Sequence, residues 1–73
     1  MQKEEILKRL GAHIRKLREA RNLSQSDLAS SIDKDQQSIQ RLEAGKINPS
    51  FYYLSQIAEG LSVDVKDLVN IGQ

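Results

Sequence analysis

The chain contains no cysteine and a single histidine, His13. Without thiols there is no disulfide framework and no thiolate metal site, and one imidazole would need carboxylates or a second chain to hold a metal. No metal and no cofactor are therefore expected. Gly45 and Gly60 stand alone in sequence, so no glycine-rich phosphate loop is present, and no nucleophile, base and orienting group can be assembled into an enzyme's constellation. No apolar stretch approaches the ~20 residues of a membrane span, and Met1-Gln2-Lys3-Glu4-Glu5 lacks the apolar core of a signal peptide. The expectation is a cytoplasmic protein with no membrane partner and no evident small-molecule ligand. Strand-like alternation is also missing. At 73 residues the chain makes one domain, 1–73, able to bury only roughly 60% of its unfolded surface.

Charge is present but unevenly placed. Residues 1–46 carry ten Lys/Arg against seven Asp/Glu, whereas residues 47–73 carry only Lys66 against Glu59, Asp64 and Asp67. A basic front and an acidic back suit a protein that lays one face on a polyanion. The plain alternative is a solvated surface with chance asymmetry.

Apolar residues at helical spacing divide the chain into five segments. Leu7, Leu10, Ile14 and Leu17 mark a first helix over 4–21, which Asn22 can end because asparagine tolerates the left-handed conformation. Ser24 with Asp27 forms a capping box for a second helix burying Leu28, Ala29 and Ile32. A tight turn at Asp33-Lys34 precedes Asp35, which can cap a third helix with Ile39 and Leu42 inward. Gly45 stops that helix. Pro49 disfavours helix at Asn48, and Ser50 can cap a fourth helix carrying Phe51, Leu54, Ile57, Ala58 and Leu61. Asp64 with Asp67 repeats the capping pattern before a short fifth helix with Val65, Leu68 and Val69. The fold class is all-α, a compact five-helix bundle.

The third helix has two unlike faces. At 100° per residue from Gln36, Gln40, Ala44, Gln37 and Arg41 fall at about 40°, 80°, 100° and 140°, while Leu42 and Ile39 fall at about 240° and 300°. The outward arc offers amides matched to adenine N6/N7, a guanidinium matched to guanine O6/N7, and a small residue permitting close approach. Glutamines on a helix exterior are also ordinary surface, so the neighbours matter. The second helix leads into the third through a very short turn, the arrangement of a helix-turn-helix over about 25–44. Gln25 sits where free amides at a helix start favour a phosphate, although it could be a first-turn residue without a role. Lys46 and Asn48 follow the third helix and are placed for the same DNA strand.

Several stretches carry a family resemblance: Ile14-Arg15-Lys16-Leu17-Arg18, Leu23-Ser24-Gln25-Ser26-Asp27-Leu28-Ala29, Ser38-Ile39-Gln40-Arg41-Leu42-Glu43-Ala44-Gly45-Lys46, Asn48-Pro49-Ser50 and Leu54-Ser55-Gln56-Ile57-Ala58. Residues 11–69 resemble the helix-turn-helix domain of lambdoid phage repressors, Cro proteins and related bacterial regulators (the XRE type). The resemblance implies a lambda-repressor-like DNA-binding domain that binds operators as a two-fold dimer. It implies base or adjacent backbone contacts for Gln36, Gln37, Gln40 and Arg41, and phosphate contacts for Gln25, with Lys46, Asn48 and Ser38 in the same group. It also implies an ion pair between Arg18 and Glu43. On helix one Arg18 borders the apolar arc and Glu43 leans to the inner side of helix three, so each needs a partner.

Departures from the family pattern fall in the turns. Asp33 stands where glycine is usual, Lys34 where a buried aliphatic residue is usual, and Ser62 where glycine often follows helix four. Aspartate tolerates positive φ, and the Lys34 stem can cover the core edge while its ammonium reaches solvent or phosphate. Tyr52 and Tyr53 are assigned to packing, with a DNA-backbone or subunit contact as the alternative for one of them.

Val63, Val65, Leu68, Val69 and Ile71 are more apolar side chains than a short terminal helix needs. They mark 62–73 as a possible dimerisation segment, the rival being a tail folded onto helix one. The resulting expectation is a sequence-specific transcriptional regulator, a repressor of the restriction–modification controller, immunity-repressor or antitoxin kind. It would bind double-stranded DNA as a homodimer at a pseudo-palindromic operator. A protein-interaction module using the same fold is the rival class.

Overall fold

A computed structural model describes residues 1–72; Gln73, the last residue of the expected 1–73 domain, lies outside the described residues. Five helices follow in chain order: α1 Lys3–Ala20, α2 Gln25–Ser31, α3 Gln36–Glu43, α4 Phe51–Leu61 and α5 Val65–Leu68. No strand occurs among the described residues. The expected order and number of elements hold, with α1 one residue displaced from the expected 4–21.

The helix starts follow the capping chemistry. The Ser24 hydroxyl accepts from the Asp27 amide at 2.9 Å and the Asp27 carboxylate accepts from the Ser24 amide at 2.9 Å, satisfying two otherwise orphaned donors. Asp35 accepts from the Ser38 amide at 2.8 Å and Ser50 from the Tyr53 amide at 3.0 Å. At α5 the Asp64 amide donates to Asp67 at 3.3 Å.

Four helices stop by one device. Asn22, Asp33, Gly45 and Ser62 all adopt the left-handed conformation, with φ of 57°, 59°, 74° and 59°. In each case the next residue's amide reaches back to a carbonyl five residues earlier: Leu23 to Arg18, Lys34 to Ala29, Lys46 to Arg41 and Val63 to Ala58. These paired reverse bonds close the last turn and satisfy carbonyls that helix termini leave open. Only one of the four residues is glycine, so the aspartate and the serine carry a steric cost that a glycine avoids.

The core gathers Leu10 and Ile14 from α1, Leu28 and Ala29 from α2, Ile32 beside it, Ile39 and Leu42 from α3, Leu54, Ile57, Ala58 and Leu61 from α4, and Leu68 from α5. Two of the sequence expectations need correction here. Phe51 does not join the inner face of α4; it sits at the first position of that helix and is 73% exposed. Leu68 was expected at a dimer surface, but it is fully buried within the monomer. A four-residue α5 cannot form two apolar faces, and its inward position closes the bundle against α1 and α4. The His13 Nε2 donates to the Asp67 carbonyl at 2.6 Å, tying α5 to α1.

Two glycines bring α3 against α1. A side chain at Gly11, buried in the middle of α1, would overlap the carbonyl oxygens of Leu42 and Glu43. One at Gly45 would meet the Lys8 Cα at 2.8 Å. The C-terminal half of α3 therefore rests on the backbone of α1 itself, which fixes its height above the bundle.

Candidate nucleic-acid interface

The outer face of α3 carries Gln36, Gln37, Gln40, Arg41 and Ala44, all exposed, while Ile39 and Leu42 are buried beneath them. Lys46 and Asn48 are exposed just past the helix. Ser38 is half-buried at the start of α3, where its backbone amide caps onto Asp35.

Beneath this face lies a buried ion pair. The Arg18 Nε donates to Glu43 Oε2 at 2.6 Å and Nη2 to Oε1 at 3.0 Å, with the two side chains 8% and 3% exposed. The third guanidinium nitrogen, Nη1, donates to the Leu23 carbonyl at 2.6 Å, so the fork is fully used. Hydrogen bonding to Glu43 raises the Arg18 pKa above its already high usual value, against the opposing effect of burial. Two charges are tolerated here because each faces its counterpart in bidentate geometry.

From Glu43 a chain of hydrogen bonds runs outward. Gln25 Nε2 donates to Glu43 Oε1 at 3.0 Å. A carboxylate can only accept, so the Gln25 amide must present its nitrogen inward and its oxygen outward. That oxygen receives Gln36 Nε2 at 3.5 Å, the long end of the range, while Gln36 Oε1 accepts from the Ser26 hydroxyl at 3.3 Å. The buried charge thus dictates which way round an exposed amide is held. Gln25, expected from the sequence at a phosphate, instead spends its side chain on this bridge in the free protein.

The remaining residues fall as follows. Lys34 lies over the Tyr53 ring, its ammonium 5.4 Å from the centroid, while Tyr52 is 72% exposed. The Tyr53 hydroxyl is buried without a hydrogen-bond partner, and burial, then the nearby Asp35 charge, push its pKa up. Val63, Val65 and Ile71 pack half-buried against the core, and Val69 is 47% exposed. Sequence reasoning missed three features of the site. Gly11 looks like an unfavourable helix-interior residue until α3 is placed on it. Arg15 lines a hollow with Gln25, Gln40, Glu43 and Ala44. The Gln25–Glu43 bond joins residues 18 apart in sequence, and no local spacing announces it.

A protruding helix with outward amides and a guanidinium, entered through a turn of four residues from a capped partner helix, defines the helix-turn-helix class of DNA-binding proteins. The helix-turn-helix family matches this chain over residues 14–68, and the chain belongs to that family, in its XRE/Cro type. It is a DNA-binding transcriptional regulator rather than an enzyme.

Solved structures agree. The restriction–modification controller protein C.AhdI from Aeromonas hydrophila is 31% identical, with a TM-score of 0.83, 85% of this chain and 94% of that one being covered. The hypothetical transcription factor NHTF from Neisseria matches at a TM-score of 0.88 and 20% identity, over 100% of this chain and 84% of that one. The clp gene regulator ClgR from Corynebacterium glutamicum matches at 0.83 and 23%, over 88% and 68%. These last two speak for the fold alone. No curated protein matches the chain. Among the described residues no helix is long and apolar enough to cross a membrane, and no cluster of metal-ligating side chains occurs.

Proposed function

We propose that the protein is a sequence-specific repressor, cytoplasmic, that binds a pseudo-palindromic operator as a homodimer, with residues 1–73 acting as one DNA-binding domain. Two copies of α3 enter successive major grooves about 34 Å apart on one face of the duplex. Gln36, Gln37, Gln40 and Arg41 read base edges; Lys46, Asn48, Ser38 and the start of α2 at Gln25 hold the backbone. The observation that carries this reading is the chain from Arg18 through Glu43 and Gln25 to Gln36. An amide held in one orientation distinguishes a donor from an acceptor on a base edge, whereas a freely turning amide accepts either.

The dimer surface is assigned to Val69 with the exposed edges of Val63, Val65 and Ile71. Identity of 31% to a restriction–modification controller over 94% of that protein favours a controller-type regulator over the immunity-repressor and antitoxin kinds.

Selection from a random duplex library, repeated at two salt concentrations, tests the reading. A shared two-fold motif is expected, with sedimentation of the protein–duplex complex at two chains per site. Recovery of no common motif overturns sequence-specific regulation. A motif without two-fold symmetry, bound by one chain, overturns the homodimer.

A further inference from the structure

We infer that Arg15, on α1, is a DNA-phosphate clamp that Glu19 holds in reserve in the free protein. The inference rests on the DNA-binding reading above. An α-helix with its side chains is about 10–12 Å across and the major groove about 12 Å wide, so a helix in the groove meets a phosphate strand on each side. The outer face of α3 has two hollows that share Gln40 and Ala44 as the ridge between them. One is completed by Gln37, Arg41 and Lys46, and therefore carries two cations. The other is completed by Gln25, Glu43 and Arg15. Glu43 there is already committed to Arg18, which leaves Arg15 as the cation able to meet the second strand.

In the free protein Arg15 Nε donates to Glu19 Oε2 at 3.1 Å, and the two side chains are 63% and 55% exposed. An exposed pair one helical turn apart is weak, so exchanging the carboxylate for a phosphate costs little. Glu19 keeps the guanidinium off Glu43 until a stronger anion arrives.

The test is binding of the full chain, by fluorescence anisotropy, to a duplex bearing the selected motif across a salt series. Arg15→Gln is expected to reduce the slope of log K against log salt by about 0.9, the value of one lost phosphate contact. Arg9→Gln removes the same charge from another exposed helical pair, Arg9–Glu5, about 240° around α1 from Arg15. It is expected to leave the slope unchanged. Glu19→Gln is expected to tighten binding about twofold, the strength of the released pair, and to do nothing in an Arg15→Gln background. Wild-type slope in Arg15→Gln, equal loss in Arg9→Gln, or a Glu19→Gln gain that survives without Arg15 overturns the clamp while leaving the DNA-binding reading intact. Failure of the wild-type chain to bind any duplex overturns both.

Discussion

Arg18 and Glu43, 25 residues apart, meet in a two-pronged ion pair at 2.6 and 3.0 Å beneath the outward face of α3. The pair joins α1 to the last turn of the groove-facing helix, and Gln25 extends it to the surface. Removing one partner strands the other charge in the interior. Arg18→Ala or Glu43→Ala is expected to cost about 3–5 kcal/mol, measured by urea unfolding, because the surviving group has no water to turn to. The double replacement Arg18→Met/Glu43→Leu is expected to cost far less than the sum. Additive losses would show that the two residues act independently.

Gly11→Ala sets helix propensity against packing. Alanine stabilises an open helix by about 1 kcal/mol over glycine. Here the added methyl meets the carbonyls of Leu42 and Glu43, backbone atoms that cannot swing aside. A net loss of about 1–3 kcal/mol is expected. Gly60→Ala provides the contrast, since its new methyl meets the Leu28 Cδ1 at 2.8 Å and the Ile32 Cγ2 at 2.9 Å, side-chain ends with room to rotate. Denaturant midpoints of the two variants decide, and an unchanged Gly11→Ala midpoint would refute the close approach.

Asp33 and Ser62 occupy left-handed positions at φ 59°. Glycine there relieves the steric penalty of about 1–2 kcal/mol while adding roughly 0.5–1 kcal/mol of unfolded-chain entropy to be lost. Asp33→Gly and Ser62→Gly are each expected to stabilise the fold by about 0.5 kcal/mol, raising the melting temperature by a few degrees. Destabilisation of both would mean that their side chains hold contacts outweighing the strain.

Two caps give the protein an acid limb. The Asp27 carboxylate accepts from Ser24, and the Asp35 carboxylate from Ser38, which holds both pKa values below the ordinary 3.8. A depressed pKa means stability that is present above the unfolded value and lost as pH falls through the folded one. Unfolding midpoints are therefore expected to fall only below about pH 4, through the start of α2 and α3. Asp27→Asn and Asp35→Asn keep an acceptor oxygen at each cap but remove the titration, so the double variant should show a flatter acid limb in thermal melts from pH 5 to 2. An unaltered limb would place the titration elsewhere.

Base reading by the α3 amides has its own signature. Gln36→Ala or Gln37→Ala is expected to cost about 1–3 kcal/mol on the selected site while sparing binding to unrelated duplex. Equal losses on both duplexes, measured at one salt concentration, would assign these residues to the backbone instead.

Much of this molecule is local and so was readable in the chain. Every helix start is written in a Ser or Asp followed three residues later by its amide partner, and the stops in Asn22, Asp33, Gly45 and Ser62. The two faces of α3 follow from 3.6-residue periodicity alone, which is why the outward amides could be named without a fold. Terminal residues read less well. Leu68 and Val69 are neighbours in an apolar run, yet one is buried and the other exposed, because a single helical turn closes the bundle with one side only.

What the sequence by itself determined is where the backbone turns and which arcs of each helix are apolar, since capping and periodicity act over three or four residues. Only the tertiary structure decided the height of α3 on α1, through Gly11 and Gly45. It likewise decided the orientation of Gln36, through Gln25 and the Arg18–Glu43 pair. Those relationships join residues far apart in the chain, and an exclusion of side-chain volume or the pairing of a buried charge leaves no periodic trace in either segment.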